Sequence, residues 1–207
     1  MDNVKTRLLK NEHHHIPLMM GYTSNEFKVK PDVKSYVELE AFAKEKFGEK
    51  AKDFLDALGT KDIYHALVAA EHCAIELGIR TVYKNIAKVE NHPDSYMYMF
   101  DAPIPGKDNP GAFHSSDLWF FFETLALSWR PFTGAHYDLA RHMCNYWANF
   151  MKSSNPNGMD QDGCTPLPLW KAYSEGEKAM LFKDKAAMDS SAPDKVMEFL
   201  VDMQLEL

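Results

Sequence analysis

The sequence lacks a long uninterrupted hydrophobic run, and it lacks an excess of basic residues. None of its apolar stretches approaches the roughly 18 residues that would cross a bilayer, so no membrane span is expected. The formal net charge is -7, from 23 lysines and arginines against 30 aspartates and glutamates. Basic residues mostly alternate with acidic ones, so the sequence has no basic patch of the kind that binds nucleic acid. We therefore expect neither a membrane nor a nucleic acid as a partner.

Cysteine is also scarce, since Cys73, Cys144 and Cys164 are the three in 207 residues. They have no C-x-x-C spacing and their number is odd, so free thiols are expected rather than a disulfide framework. No N-x-S/T glycosylation sequon occurs. The first ten residues are charged throughout and lack the apolar segment of a signal peptide. Together these features favour a reducing, cytoplasmic compartment, although a signal could precede Met1.

Hydrophobic residues are plentiful, at 45% of the chain, and aromatic residues make up 13%. That content and the length suit one globular domain or a large part of one. The short run 16–20 is apolar on both faces, which predicts a central parallel strand. Residues 95–100 alternate and are rich in aromatics, which predicts a second strand. Further segments are predicted as helices at 34–58, 61–89, 133–152 and 193–206, as an apolar helix or strand at 117–127, and as short strands at 170–173 and 178–182.

Strands that alternate with helices indicate the α/β class. The predicted sheet is mixed and mostly parallel, with helices on its faces. About two of its strands are expected to be fully buried, and a stable parallel sheet usually has more. The sequence therefore predicts an incomplete sheet.

Two polar residues occupy positions where chemistry often takes place. Glu26 follows the first predicted strand, and the carboxyl ends of strands in open α/β sheets are where functional groups gather. His114 follows a loop that is rich in proline and glycine and precedes an apolar segment. Judged by position alone, Glu26 could equally be a solvated loop residue and His114 a structural histidine.

Two stretches of sequence resemble the type-B carboxylesterase and cholinesterase family. Residues 16–27, IPLMMGYTSNEF, are similar to the family's strand that ends in glycine and is followed by the acid of the catalytic triad. Asn25 stands where the family usually has an aspartate. Residues 111–122, GAFHSSDLWFFF, look like the family's histidine loop, with Ser115 where glycine is common.

The resemblance continues further along the chain. The residues from Tyr146 to Phe150, followed by Asn155-Pro156-Asn157, resemble the family's helix and turn, and Trp170 to Tyr173 resembles its "WPxY" segment. These blocks occur in the family's order and at nearly its spacing. The resemblance implies that residues 1–207 are the C-terminal segment of a single catalytic domain with the α/β-hydrolase fold.

The family resemblance implies a function and a set of residues. Glu26 would be the triad acid and His114 the triad base of a carboxylesterase that hydrolyses small carboxylic esters through an acyl-enzyme. Asp117 would be a buried structural acid near His114, and Ser115 would support the loop. No cofactor is implied. In α/β-hydrolases the triad follows the chain order serine, acid, histidine, and Glu26 and His114 fit the last two places.

The nucleophile of that triad is absent from the sequence. No two glycines lie four positions apart with serine between them, and no glycine run can form an oxyanion hole. The family has both features before the region that this chain resembles. We therefore expect the isolated chain to be inactive, and we expect its partner to be the missing N-terminal part of the same hydrolase or a second copy of the chain.

Other interpretations remain open. Cholinesterase-like domains also serve as non-catalytic binding or adhesion modules, and the sequence upstream would separate that alternative from an enzyme. Ser24 and Ser116 lie near the two triad positions, but neither lies on a nucleophile elbow, so loop hydrogen bonding is expected of them. Residues 13–15 are three contiguous histidines, which cannot easily turn one face toward a metal ion.

Overall fold

A computed structural model describes residues 4–188 and 193–206 of the chain. The helices in these residues are α1 (Val4–Leu9), α2 (Tyr36–Phe47), α3 (Ala51–Leu58), α4 (Ile63–Ala70), α5 (Ala74–Ile86), α6 (Leu118–Phe121), α7 (Gly134–Ser153) and α8 (Lys195–Leu205). The strands are β1 (Leu18–Thr23), β2 (Lys28–Val29), β3 (His72–Cys73), β4 (Ser95–Phe100), β5 (Met180–Phe182) and β6 (Ala186–Met188). No helix in the described residues is long and apolar enough to span a bilayer.

The main sheet has the strand order β1-β4-β5-β6. Strands β1 and β4 are parallel, and Thr23 at the end of β1 lies opposite Phe100 at the end of β4. Strand β5 is parallel to β4, and β6 returns antiparallel to β5. The sheet is therefore mixed and mostly parallel, as the sequence predicts. Because β1 and β4 run in the same direction, the loops that follow them leave the sheet at the same edge.

Strand β4 is buried on both faces because its alternate residues enter two different apolar clusters. Tyr96, Tyr98 and Phe100 pack with α6 and α7. Met97, which points the other way, is fully buried in a cluster with residues of α5. A third cluster joins α2, α3, α4 and α8. The sheet thus lies between helices on its two faces, which is the layered arrangement of an α/β protein.

The helix predictions are confirmed, except that two segments are divided. The segment 34–58 divides at Gly48 into α2 and α3, and α3 ends at Gly59, whose φ of 69° is the left-handed conformation that glycine adopts readily. The segment 61–89, which the sequence predicts as one pattern, divides into α4 and α5. The break lies at β3, which pairs with β2, and Gly78 lies inside α5 without interrupting it.

The strand predicted at 170–173 is wrong, and the strand predicted as central, β1, is parallel but lies at an edge. Residues 170–173 do not form a strand, because the side chain of Asn157 binds the backbone of Trp170 on both sides. Asn157 Oδ1 accepts from the Trp170 N–H at 2.7 Å, and Asn157 Nδ2 donates to the Trp170 carbonyl at 2.9 Å. Strand β1 is parallel, as predicted, but in the described residues it pairs on one side alone and lies at an edge of the sheet.

A substitution at Gly21 in β1 tests how closely β1 packs against Tyr98 of the neighbouring strand β4. A Cβ atom at Gly21 would lie 2.2 Å from the ring of Tyr98, whereas a Cβ atom at Gly78 in α5 would meet nothing within 4 Å. We predict that Gly21→Ala lowers the free energy of unfolding by about 1 to 3 kcal/mol, because the ring must shift. The matched control, Gly78→Ala, should raise it by about 0.5 to 1 kcal/mol, because alanine favours the helix.

Urea unfolding of the two variants and the parent measures both effects. Equal stability of Gly21→Ala and the parent would mean that the Tyr98 ring does not pack directly against Gly21 in β1.

Candidate active site

Glu26 lies in a turn that begins where β1 ends. The turn is fixed to its neighbours, because the Ser24 N–H donates to the Phe100 carbonyl at 2.9 Å and the Asn25 N–H donates to the Ala112 carbonyl at 3.1 Å. The Glu26 side chain is 4% exposed. Its Oε1 accepts from the Thr23 N–H at 2.7 Å. A buried carboxylate needs such donors, since an uncompensated charge in the interior is costly.

His114 lies at the end of the loop that follows β4. Gly111 in this loop has a φ of 64°, and a Cβ atom there would lie 2.4 Å from Asn25 Nδ2. Glycine therefore lets the histidine loop approach the turn that carries Glu26. Ser115 has a φ of 68°, which explains why the related position is commonly glycine. A turn from Phe113 to Ser116 then leads the chain into α6.

The two loops bring Glu26 and His114 into direct contact. His114 Nδ1 is hydrogen-bonded to Glu26 Oε2, although the two residues are 88 positions apart in the chain. Because an ionised carboxylate can only accept, the proton is assigned to Nδ1. This tautomer leaves the Nε2 lone pair free, and in the part of the chain that the structure describes Nε2 makes no hydrogen bond. The His114 side chain is 62% exposed.

This arrangement has a specific chemical capacity. An imidazole whose Nδ1–H is held by a carboxylate is fixed in one tautomer and one orientation. Its free Nε2 can accept a proton from a hydroxyl that comes within hydrogen-bonding distance, and the carboxylate stabilises the imidazolium that results.

Asp117, three positions after His114, is buried, with 7% of the residue exposed. The Tyr98 hydroxyl donates to Asp117 Oδ2 at 3.1 Å. Burial raises the pKa of Asp117, and the negative charge of Glu26 raises it further, while the hydrogen bond from Tyr98 opposes these effects. Burial also raises the pKa of Tyr98, so its hydroxyl remains a donor.

The other serines near the site do not contact His114. Ser24 Oγ donates to Asp101 Oδ1 at 2.5 Å, which is the loop role that the sequence predicts for it. Ser116 is fully buried, and its hydroxyl has no partner in the described residues. Of the four residues 119–122, three pack against or within the core, and Phe122 is 70% exposed.

Two of the three histidines at 13–15 pack against a histidine from a distant part of the chain. The rings of His13 and His15 contact each other and the ring of His92, with centroids 5.4 to 6.4 Å apart. Burial and the neighbouring histidines lower the pKa of His13. Among residues 4–188 and 193–206, no three histidine, cysteine, aspartate or glutamate side chains converge as metal ligands.

Sequence reasoning missed two residues of this site. The Phe27 ring contacts His114, with the ring centroids 4.9 Å apart. Tyr98 anchors Asp117 through its hydroxyl. The alternation of β4 puts Tyr98 and Phe100 on one face, and that signal could have pointed to Tyr98. No sequence signal identifies the contact of Phe27.

Known carboxylesterases are similar to this chain in sequence. Residues 29–200 match the model of the carboxylesterase family, a stretch that includes His114 and begins three residues after Glu26. Carboxylesterase 5A of Canis lupus familiaris is 33% identical over 117 residues, which cover 52% of this chain and 19% of that protein. Carboxylesterase 4A of Bos taurus is 30% identical over 110 residues, which cover 47% of this chain and 18% of that protein.

Solved esterases share the fold. A PNB esterase superposes with a TM-score of 0.62 and 20% identity over 95% of this chain and 40% of its own. EstA of Aspergillus niger superposes with a TM-score of 0.61 and 12% identity over 100% of this chain and 44% of its own. At such identities the likeness shows the fold alone, which is the predicted α/β-hydrolase fold.

The matched regions are a fraction of those proteins. The chain spans about a fifth of the length of the curated carboxylesterases and about two fifths of the solved esterases. The family model nevertheless matches most of this chain, from residue 29 to residue 200. On that match, the chain belongs to the carboxylesterase family.

Proposed function

We propose that this chain supplies the acid and the histidine of a Ser-His-Glu triad that hydrolyses carboxylic esters. The observation that carries the proposal is the hydrogen bond between Glu26 Oε2 and His114 Nδ1. Membership of the carboxylesterase family supports the reaction type. The substrate class is a small carboxylic ester, and no cofactor takes part.

In the proposed reaction, His114 acts first as a base and then as an acid. Its Nε2 takes the proton of a serine hydroxyl as the serine oxygen attacks the ester carbonyl. The tetrahedral intermediate collapses, Nε2 returns the proton to the leaving alcohol, and an acyl-enzyme remains. The same nitrogen then removes a proton from water, which attacks the acyl group, and finally reprotonates the serine. Glu26 stabilises the imidazolium that forms in both halves of the reaction.

The serine must come from another stretch of polypeptide, since these 207 residues contain no G-x-S-x-G elbow. We propose that a polypeptide carrying the elbow pairs along the open edge of β1, which has no neighbouring strand on that side in the described residues. The N-terminal part of the same hydrolase would supply both the elbow serine and a strand that covers this edge. A second copy of this chain could cover the edge but brings no elbow serine. The isolated chain is then expected to be inactive.

Reconstitution tests this function. The chain is mixed with the N-terminal part of a related carboxylesterase that carries the elbow, and hydrolysis of a chromogenic short-chain ester is measured. We predict activity for the mixture and none for either part alone. His114→Ala and Glu26→Gln should each lower the rate by about 10⁴ or more, as in other triads.

The matched control is His65→Ala, which changes a histidine whose side chain is 72% exposed. That variant should retain the rate of the parent mixture. Full activity in the His114→Ala mixture would rule out the proposed role of His114.

The buried Asp117 generates a prediction about pH. Its pKa is higher in the folded chain than in the unfolded chain. A group of this kind stabilises the fold below its unfolded pKa of about 3.9, and that contribution is lost as the pH rises through the folded pKa. Asp117→Asn, which is neutral at every pH and can still accept from Tyr98, should be more stable than the parent at pH 7. The difference should vanish below about pH 4.

Asp162→Asn is the control, because it should change the stability at pH 7 in the opposite direction. Hydrogen bonds from Thr165 and Cys164 lower the pKa of Asp162 to about 2, so this variant should be less stable than the parent at pH 7. Urea unfolding from pH 3.5 to pH 7 measures both variants. An Asp117→Asn chain that is less stable than the parent at pH 7 would mean that the Asp117 carboxylate is held favourably in its ionised form.

A further inference from the structure

Phe27 adopts a backbone conformation that bulky residues rarely take. Its φ is 44°, in the left-handed region where the Cβ atom is crowded. The residue is 56% exposed, so burial of its ring in a core does not account for this conformation. Strain of this kind persists where the surrounding structure enforces it, and it clusters at functional sites.

The chain on both sides of Phe27 enforces the conformation. Glu26 before it is buried and is held by the Thr23 N–H. The Phe27 carbonyl accepts from the Ala74 N–H, at the first residue of α5, at 3.1 Å. The next residue, Lys28, is the start of β2 and pairs with β3. The backbone of Phe27 is therefore fixed between the candidate site and the start of α5.

This backbone holds the ring of Phe27 against the imidazole of His114. The centroids are 4.9 Å apart and the planes meet at 73°, which is the edge-to-face arrangement that aromatic pairs prefer. It is the one aromatic contact of His114 within the residues that the structure describes. The rest of the imidazole is largely open, since 62% of the side chain is exposed.

We propose that Phe27 is a positioning residue for His114. Its ring covers one side of the hydrogen bond between His114 Nδ1 and Glu26 Oε2, slows the entry of water to that bond, and restricts rotation of the imidazole. Nε2 is then presented in one direction. This inference rests on the proposed function of the pair, and it adds that the strained residue after the acid keeps the pair aligned.

Proton NMR of the full chain, labelled with ¹⁵N-histidine, tests the inference directly. A histidine N–H held by a carboxylate gives a resonance far downfield, and its exchange rate with water reports how well the bond is shielded. We expect the resonance in the parent chain and in Phe27→Tyr, which keeps the ring. In Phe27→Gly the exchange should be roughly two- to tenfold faster, as expected for the loss of one aromatic pair.

The control for backbone strain is Glu123→Gly. Glu123 is exposed and has a φ of 48°, so this variant removes a left-handed residue of the same kind away from His114. It should leave the exchange rate unchanged. Phe27→Leu keeps an apolar side chain without a ring, so it provides the comparison if Phe27→Gly does not fold, and it should also exchange faster than the parent.

The outcomes separate the two proposals. A parent chain without the downfield resonance contradicts the pairing of Glu26 with His114 and removes the basis of the inference. A parent chain that shows the resonance, together with folded Phe27→Gly or Phe27→Leu chains that exchange at the parental rate, overturns the role of Phe27 and leaves the pairing intact.

Discussion

The site depends on one hydrogen bond between residues 88 positions apart, Glu26 and His114. That bond exists because β1 and β4 are adjacent and parallel, with Thr23 opposite Phe100, so that both following loops leave the same edge of the sheet. Its two partners differ in environment. The carboxylate is almost fully buried, and the imidazole faces outward. A buried carboxylate is costly unless it is paired, so the same interaction that orients the imidazole also satisfies the charge beneath it.

The elements whose shape follows from local sequence could be predicted, and the exceptions have tertiary causes. Strand β4 covers the predicted residues 95–100 because its alternating side chains suit a sheet buried on both faces. Helix α7, at Gly134–Ser153, follows from the apolar spacing of its residues. In contrast, Trp170 does not join a strand because Asn157 occupies its backbone groups. The division between α4 and α5 arises from pairing of β3 with β2, which residues 61–89 alone do not reveal.

In the candidate site, too, the residues that stand in sequence motifs could be predicted, and those that depend on tertiary contacts were missed. Glu26 and His114 could be named because they stand in short motifs that resemble the carboxylesterase family. Ser115 matches a position where glycine is common, and its left-handed backbone supplies the reason. The alternation of β4 could have pointed to Tyr98, whereas the contact of Phe27 could not be predicted. That contact depends on a left-handed backbone and on the approach of two loops, and neither leaves a periodic signal in the sequence.

A double-mutant cycle between Glu26 and His114 is the measurement that tests the central claim most directly. Unfolding of the parent, Glu26→Gln, His114→Ala and the double variant at pH 7 gives the coupling free energy of the pair. A direct hydrogen bond to a buried charge predicts a coupling of about 1.5 to 3 kcal/mol, while a cycle between Glu26 and the exposed His65 should be additive. Additive effects of Glu26→Gln and His114→Ala, within about 0.5 kcal/mol, would contradict the account.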